Sequence, residues 1–299
     1  MAINWYPGHM YKAKKEIRGV IPTMDLIIEV LDARLPFSSE NPMIASLRRD
    51  TPCIKILNKS DLADPVVTQQ WLDHINRTSG MKAIAVNLKQ SDKICRILDM
   101  APAMVPERNL NDSPLKAIIL GIPNVGKSTI INMLSNRTVA KTGNEPAVTR
   151  QQQRIKLPNN VVLLDTPGFL WPKLDPEDCG YRLAISGAIK NTVIEFEDIA
   201  MYLAEFMMQH YPDALQQRYQ IKEVPQTGIE LFDMIGQRRG CMRQGGIADV
   251  HKVSEILISE FRNGYLGRIT LETPEMIEAQ QLKRCFFEFE TVQNNNCML

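Results

Sequence analysis

The stretch LKAIILGIPNVGKSTIINML, residues 115–134, constrains the fold of this chain more than any other. An apolar run leads without a break into Gly121-Ile122-Pro123-Asn124-Val125-Gly126-Lys127-Ser128, a complete G-x-x-x-x-G-K-[ST] pattern, and then into residues of helical spacing. Strand, glycine loop and helix in that order make a βα unit. Such a unit needs parallel neighbours and helical cover on both faces, so an α/β sheet is expected. The loop also dictates a chemistry. Its backbone N–H groups and the positive end of the following helix form a cradle for an anion. Pro123, Asn124, Val125, Gly126, Lys127, Ser128 and Thr129 are the expected phosphate contacts. Lys127 would place its charge on the β- and γ-phosphates, and the Ser128 hydroxyl would ligate Mg²⁺.

The rest of the first half supplies the other layers. Strands are expected over 25–33, 52–61 and 82–87, with a hairpin of QRIKLP and VVLLDTPG around an Asn159-Asn160 turn. Helices are expected over 10–21, 41–49, 65–78, 91–101 and 127–134. Pro102, Pro106 and Pro114 mark residues 102–114 as a linker. Beyond residue 176 the pattern changes: 197–211 and 249–267 have helical apolar spacing, with no strong strand between them. The expected organisation is a sheet domain over 1–176, a small all-α domain over 177–290, and a disordered tail over 291–299.

Two further motifs join the glycine loop. LLDTPG, residues 163–168, ends an apolar strand on Asp165, at the edge where open α/β sheets bind ligands. Asp165 is expected to hold Mg²⁺ through water. The Gly168 N–H can approach a γ-phosphate, because glycine lets backbone come close. Thr149 is the expected switch threonine of the metal shell, with Thr138 and Thr142 as alternatives in the same polar segment. Asn58-Lys59-Ser60-Asp61 reads as N-K-x-D. Asp61 would accept two hydrogen bonds from guanine, which adenine cannot offer, Asn58 would fix the loop, and Lys59 would lay its stem over the base. The expected ligands are therefore GTP and GDP, read by a motif that lies upstream of the phosphate loop.

Composition narrows the rest. A net charge of +1 gives no global basic field, so any nucleic-acid contact needs a local patch. Cys53, Cys95, Cys179, Cys241, Cys285 and Cys297 form no C-x-x-C pair or zinc spacing and read as free thiols of a reducing compartment. No apolar stretch reaches the roughly 20 residues of a membrane span. The opening MAINWYPGHMYKAKK lacks the apolar run of a secretory signal, and a cytoplasmic monomer is expected.

Together WYPGHM (5–10), VLDARLP (30–36), NKSD (58–61), GIPNVGKS (121–128), LLDTPGFLWPK (163–173) and RRGCMRQGG (238–246) resemble the YlqF/YawG family of circularly permuted GTPases along almost the whole chain. The order N-K-x-D, phosphate loop, D-x-P-G is that family's signature. The resemblance implies a circularly permuted P-loop GTPase domain, with a mostly parallel sheet and helices on both faces, followed by a helical, RNA-contacting domain. It implies a GTP hydrolase that assists assembly of the large (50S) ribosomal subunit, stimulated when docked there. Two departures stand out. Pro146-Ala147 precedes Thr149 where the family carries Pro-Gly, and Asn87 occupies the second base loop, commonly Ser-Ala-like, as a weaker guanine contact.

Phe169 follows D-x-P-G, so the glutamine that orients water in many GTPases is missing. His9 is the candidate replacement, a role the resemblance supports; the alternative is a surface histidine in a Pro-Gly turn. Asn124 offers a second route. Related GTPases with asparagine here bind K⁺ beside the phosphates, the alternative being an amide that bonds only within the loop. Lys12, Lys14 and Lys15 on the first helix, and Arg238, Arg239 and Arg243 near Gly245-Gly246, are the candidate rRNA contacts, with solvated charged faces as the alternative. A nucleotide-gated RNA-binding module with incidental hydrolysis is the rival functional reading.

Overall fold

A computed structural model describes residues 6–87, 91–140 and 152–282, with the side chains of His9 and Ser91 outside the description. The chain opens on helix α1 (Gly8–Val20), which buries Met10, Ala13 and Ile17 as a stripe of helical spacing. Strand β1 (Leu26–Asp32) follows and is buried along its whole length, as an interior strand covered on both faces must be. Two short helices, α2 (Pro36–Ser39) and α3 (Pro42–Arg48), lead to β2 (Cys53–Asn58). Proline at the first turn starts both helices, and the Asn41 side chain caps α3. Then come α4 (Pro65–Asn76), capped by Asp64, β3 (Met81–Ala85), α5 (Ser91–Ala103), β4 (Leu115–Gly121) and α6 (Lys127–Ser135). The hairpin β5 (Gln153–Leu157) and β6 (Val161–Asp165) turns through Asn159 and Asn160, both at positive φ (58° and 53°), the conformation a tight hairpin demands.

Among the described residues the six strands form one sheet in the order β3-β2-β1-β4-β6-β5, parallel except for β5. The connection from α5 to β4 is tied down at Asp25: its carboxylate accepts from the Arg108 guanidinium at 2.7 Å and from the Lys116 N–H at 2.8 Å. Residues 102–114 therefore run as turns held against the base of β1 and β4, with α5 taking up Pro102 and Ala103.

The second half is helical: α7 (Glu177–Ser186), α8 (Phe196–His210), α9 (Pro212–Tyr219), α10 (Gly228–Arg239) and α11 (Val250–Asn263). Of these, α7, α9 and α10 are short and carry weak apolar periodicity, and sequence spacing alone marks only α8 and α11. One continuous apolar cluster runs from Met10 through the sheet to Leu271, so the helices share a core with the sheet. After α11 the chain turns back. Ile269 N–H donates to the Leu62 carbonyl at 3.0 Å, Leu271 N–H to Arg34 at 2.7 Å, and the Trp71 indole to the Glu272 carbonyl at 2.9 Å. A helical segment, 274–282, then packs Ile277 against Trp71 and Ile75 of α4.

Glu272 anchors this return strap. Fully buried, it accepts from Ser38 N–H at 2.8 Å, the Ser38 hydroxyl at 2.6 Å and Arg182 of α7 at 3.1 Å. It thereby joins three parts of the chain that sequence spacing reads separately. Glu272→Ala would leave the buried Arg182 with only its longer 3.7 Å contact to the Asp178 carboxylate, and is expected to cost about 3 kcal/mol or more of stability. Urea unfolding of the purified variant measures this, and a cost under about 1 kcal/mol would show the strap to be peripheral.

Candidate functional site

Four parallel strands end on the residues that matter. Asp32 closes β1, Asn58 closes β2, Gly121 closes β4 and Asp165 closes β6. Parallel pairing sets them side by side: Asp32 opposite Asn58, Val30 opposite Gly121, Ile119 opposite Asp165. One edge of the sheet thus gathers both sequence motifs and the loop between β4 and α6.

The phosphate loop is closed from both ends. Lys127 Nζ donates to the Gly121 carbonyl at 3.0 Å and to the Ile122 carbonyl at 2.9 Å, curling the loop over its own lysine. Gly126 sits at φ 97°, and a Cβ there would overlap the Asn58 amide. That amide donates to the Val125 carbonyl at 2.7 Å. Asn58 therefore ties the end of β2 to the phosphate loop. Ser128 and Thr129 lie half-buried at the start of α6.

Asp165 and Lys127 share the floor. Burial pushes the Asp165 carboxyl up to about 6, with the Lys127 ammonium pulling the other way, and burial pulls Lys127 down to about 8 against the attraction of Asp165. Asp165 Oδ1 is buried with no hydrogen-bond partner. A carboxylate and an ammonium both held in their less favourable states mark a site built for a charged ligand. Gly168 comes close to the lysine: a Cβ on it would lie 2.9 Å from Lys127 Nζ and from Pro123 Cα. The residues after it are buried. Phe169 is 1 % exposed, and Leu170 N–H meets the Met10 sulfur at 3.4 Å. That contact brings α1, and with it the backbone of His9, against the end of the D-x-P-G loop.

The base loop is zipped to its neighbour. Ser60 N–H donates to the Val86 carbonyl at 3.1 Å and Val86 N–H to Leu57 at 2.9 Å, placing Asn87 beside the N-K-x-D turn. Asp61 is half-buried there. Lys59, at φ 60°, directs its Nζ to Asp32 Oδ2 at 2.8 Å. Sequence reasoning assigned no partner to Lys59; the Asp-x-Arg spacing of VLDARLP is the signal that finds it.

Asn124, at φ 56°, reaches outside the loop. Its amide nitrogen donates to the Gly187 carbonyl at 2.8 Å, the C-cap of α7. This bond leaves the phosphate loop for the helical half, so the amide does not bond only within its own loop. Thr149 and Thr142 lie outside the described residues, and Thr138 is exposed after α6. Of the basic candidates on α1, Lys12 and Lys15 are exposed, Lys12 within 4.0 Å of Glu16, and Lys14 is half-buried. Arg238 donates to Gln220, Arg239 pairs with Glu260 and lies over Tyr219, and Arg243 pairs with Asp249 at 3.0 Å. The second patch is thus engaged within the protein, whereas Lys12 and Lys15 of α1 are exposed.

Residues 116–228 match the family model described as 50S ribosome-binding GTPase. That span begins on β4 and leaves N-K-x-D upstream. The chain is 43 % identical over 289 residues to the ribosome biogenesis GTPase A of Priestia megaterium, covering 94 % of this chain and 99 % of that one. The protein of the same name from Thermotoga maritima is 29 % identical, with 93 % and 97 % covered. Among solved structures, TM YlqF bound to GDP superimposes with a TM-score of 0.63 at 25 % identity, covering 87 % of this chain and 99 % of that one. The GNP-bound YlqF from T. maritima gives 0.61 at 25 % identity, with 89 % and 99 % covered. Similarity of this extent, continuous across the rearranged motif order, places the chain in the YlqF family of circularly permuted GTPases.

Proposed function

We propose that this chain hydrolyses GTP to GDP as an assembly factor of the large ribosomal subunit, acting as a cytoplasmic monomer that docks on rRNA. The bond from Asn58 to the Val125 carbonyl carries the nucleotide reading, because it joins the guanine motif to the phosphate loop in one pocket. The names of the relatives carry the ribosomal part.

Within the pocket Asp61 accepts from the guanine N1–H and exocyclic amine, Lys59 covers the base face, and Asn87 adds a minor contact. Residues 123–129 wrap the phosphates, and Gly168 N–H reports the γ-phosphate. The unpartnered Asp165 Oδ1 and its raised pKa fit a divalent cation, so Ser128, Asp165 (through water) and Thr149 are the residues that would hold Mg²⁺. Bound there, Mg²⁺ would neutralise charge on the β- and γ-phosphates. Lys127 remains largely cationic at neutral pH and adds its charge to the same oxygens. K⁺ held through the Asn124 oxygen would supplement it.

With Phe169 buried beside the D-x-P-G loop, water positioning falls to His9, which α1 brings to that loop through Met10. Docking uses Lys12, Lys14 and Lys15 on α1, with Arg238, Arg239 and Arg243 as a second patch that must exchange internal partners for phosphates.

GTP turnover measured with and without large subunits tests the function: stimulation of about tenfold or more is expected, equivalent to about 1.4 kcal/mol of barrier. Binding without stimulation would instead favour the RNA-binding module. His9→Ala is expected to lower stimulated turnover by roughly a hundredfold while leaving the Kd for GDP unchanged; unchanged turnover would remove His9 from the mechanism.

A pH dependence follows from Asp165. Its folded pKa is raised, so the carboxylate takes up a proton as pH falls through about 6 and then no longer accepts fully from the water that would link it to Mg²⁺. The tightening of GDP binding by Mg²⁺ is expected to be full above that range and to fade below it, and to be absent from Asp165→Asn at every pH. Fluorescence titration with labelled GDP reads both, and a flat profile for the wild type would contradict the assignment.

A further inference from the structure

Asp32 and Arg34 lie in the VLDARLP segment, far upstream of the phosphate loop. Asp32 is 1 % exposed and stands next to Asn58 across the β1–β2 register. Its Oδ1 accepts from the Arg34 backbone N–H at 3.1 Å and Nε at 2.9 Å; its Oδ2 accepts from Arg34 Nη2 at 2.8 Å and Lys59 Nζ at 2.8 Å. Burial alone would push the Asp32 carboxyl up, yet the Arg34 guanidinium and Lys59 ammonium overcome it and hold the group well below the usual carboxylate range. Arg34 is itself fixed by the helical half. Its Nη1 donates to the Phe261 carbonyl of α11 at 3.4 Å, and its guanidinium lies 4.8 Å from the centre of the Phe261 ring.

We propose that Asp32 and Arg34 are positioning residues for the guanine reader, and that through them α11 sets how firmly the base is held. A lysine stem has four rotatable bonds, and a base can rest on it only if both ends are fixed. The N-K-x-D backbone fixes one end of Lys59, and Asp32 fixes the other. Asp32 can do so only while ionised and correctly turned. The planar fork of Arg34 secures both, because it binds the two carboxylate oxygens at once. The helical half thereby enters base recognition without touching the base. The proposal rests on reading Asn58–Asp61 as the guanine motif.

The test uses the full chain with Asp32→Asn, Arg34→Met and Phe261→Leu, the last keeping the main-chain carbonyl and removing the ring. Calorimetric titration with GDP, ADP and inorganic triphosphate is run on variants whose circular dichroism matches the wild type. The Kd for GDP is expected to rise about tenfold in the first two variants, the scale of one charge-assisted hydrogen bond, and about two- to threefold in the third. Triphosphate affinity is expected to stay within about twofold, since the phosphate loop is untouched. Should Asp32→Asn fail to fold, Phe261→Leu carries the comparison. Unaltered GDP binding in folded variants, or parallel loss of GDP and triphosphate, would overturn the proposal and leave the ion pair a structural one. A wild type that does not prefer GDP over ADP would instead sink the guanine reading beneath it.

Discussion

The amide of Asn58 holds this structure's function together. It donates to the carbonyl of Val125, 67 residues later in the chain, across the width of β1. N-K-x-D and the phosphate loop follow strands on either side of β1, and this bond joins them directly. The bond imposes two costs. The Gly126 position cannot carry a side chain, and Asn58 Oδ1 is left buried without a partner. A buried unsatisfied acceptor costs on the order of 1–3 kcal/mol. A stable fold tolerates that cost where it fixes a pocket.

Permutation has a second consequence. The segment that follows Asp165–Gly168 runs into the helical half, and its contacts hold that half close to the nucleotide edge. Leu170 is fixed to Met10, Gly187 at the end of α7 is fixed to Asn124 of the phosphate loop, and the strap 264–282 is fixed to Leu62, Arg34 and Trp71. A free swing of the helices on a changed γ-phosphate would break the strap, including the buried Glu272 network. A local response is energetically cheaper: the Asn124–Gly187 bond and the loop between Gly168 and α7 can shift while the strap stays closed.

Much of this was legible in the sequence. The strands and the glycine loop could be read because β-branched apolar runs and loop glycines are local signals, and the Asn159-Asn160 turn because tight hairpins need left-handed residues. The helices α7, α9 and α10 were not: α7 buries residues on nearly every side, α9 buries only Leu215 and Tyr219, and the face that α10 buries includes two glycines, so none shows a strong apolar stripe in sequence. The strap was invisible because its partners lie far along the chain. Glu272 reads as an ordinary surface acid until Ser38 and Arg182 are placed on it. At the site, Asn58, Lys127, Asp165 and Gly168 were placed by motif, but the partners that hold them were not. Asn124 was weighed for an ion or for its own loop, and its amide nitrogen goes to α7. Arg239 was weighed for RNA, and it pairs with Glu260.

The distribution of buried charge explains why the site lies where it does. Asp32, Lys59, Lys127 and Asp165 all sit at the carboxyl ends of the central strands, where strand termination leaves backbone groups to solvate them. Two of these four are satisfied: Asp32 and Lys59 bind each other, with Arg34 completing the carboxylate. Of the other two, Lys127 donates to the Gly121 and Ile122 carbonyls, and Asp165 keeps a buried carboxylate oxygen without a partner. The mutually bonded pair stands beside the N-K-x-D turn, and the unpartnered carboxylate oxygen beside the phosphate loop. A base is neutral and needs a rigid surface, whereas a triphosphate with its metal brings the charges that relieve Asp165 and Lys127. On the proposed reading, binding energy is concentrated where the bond breaks, and shape where the base is recognised.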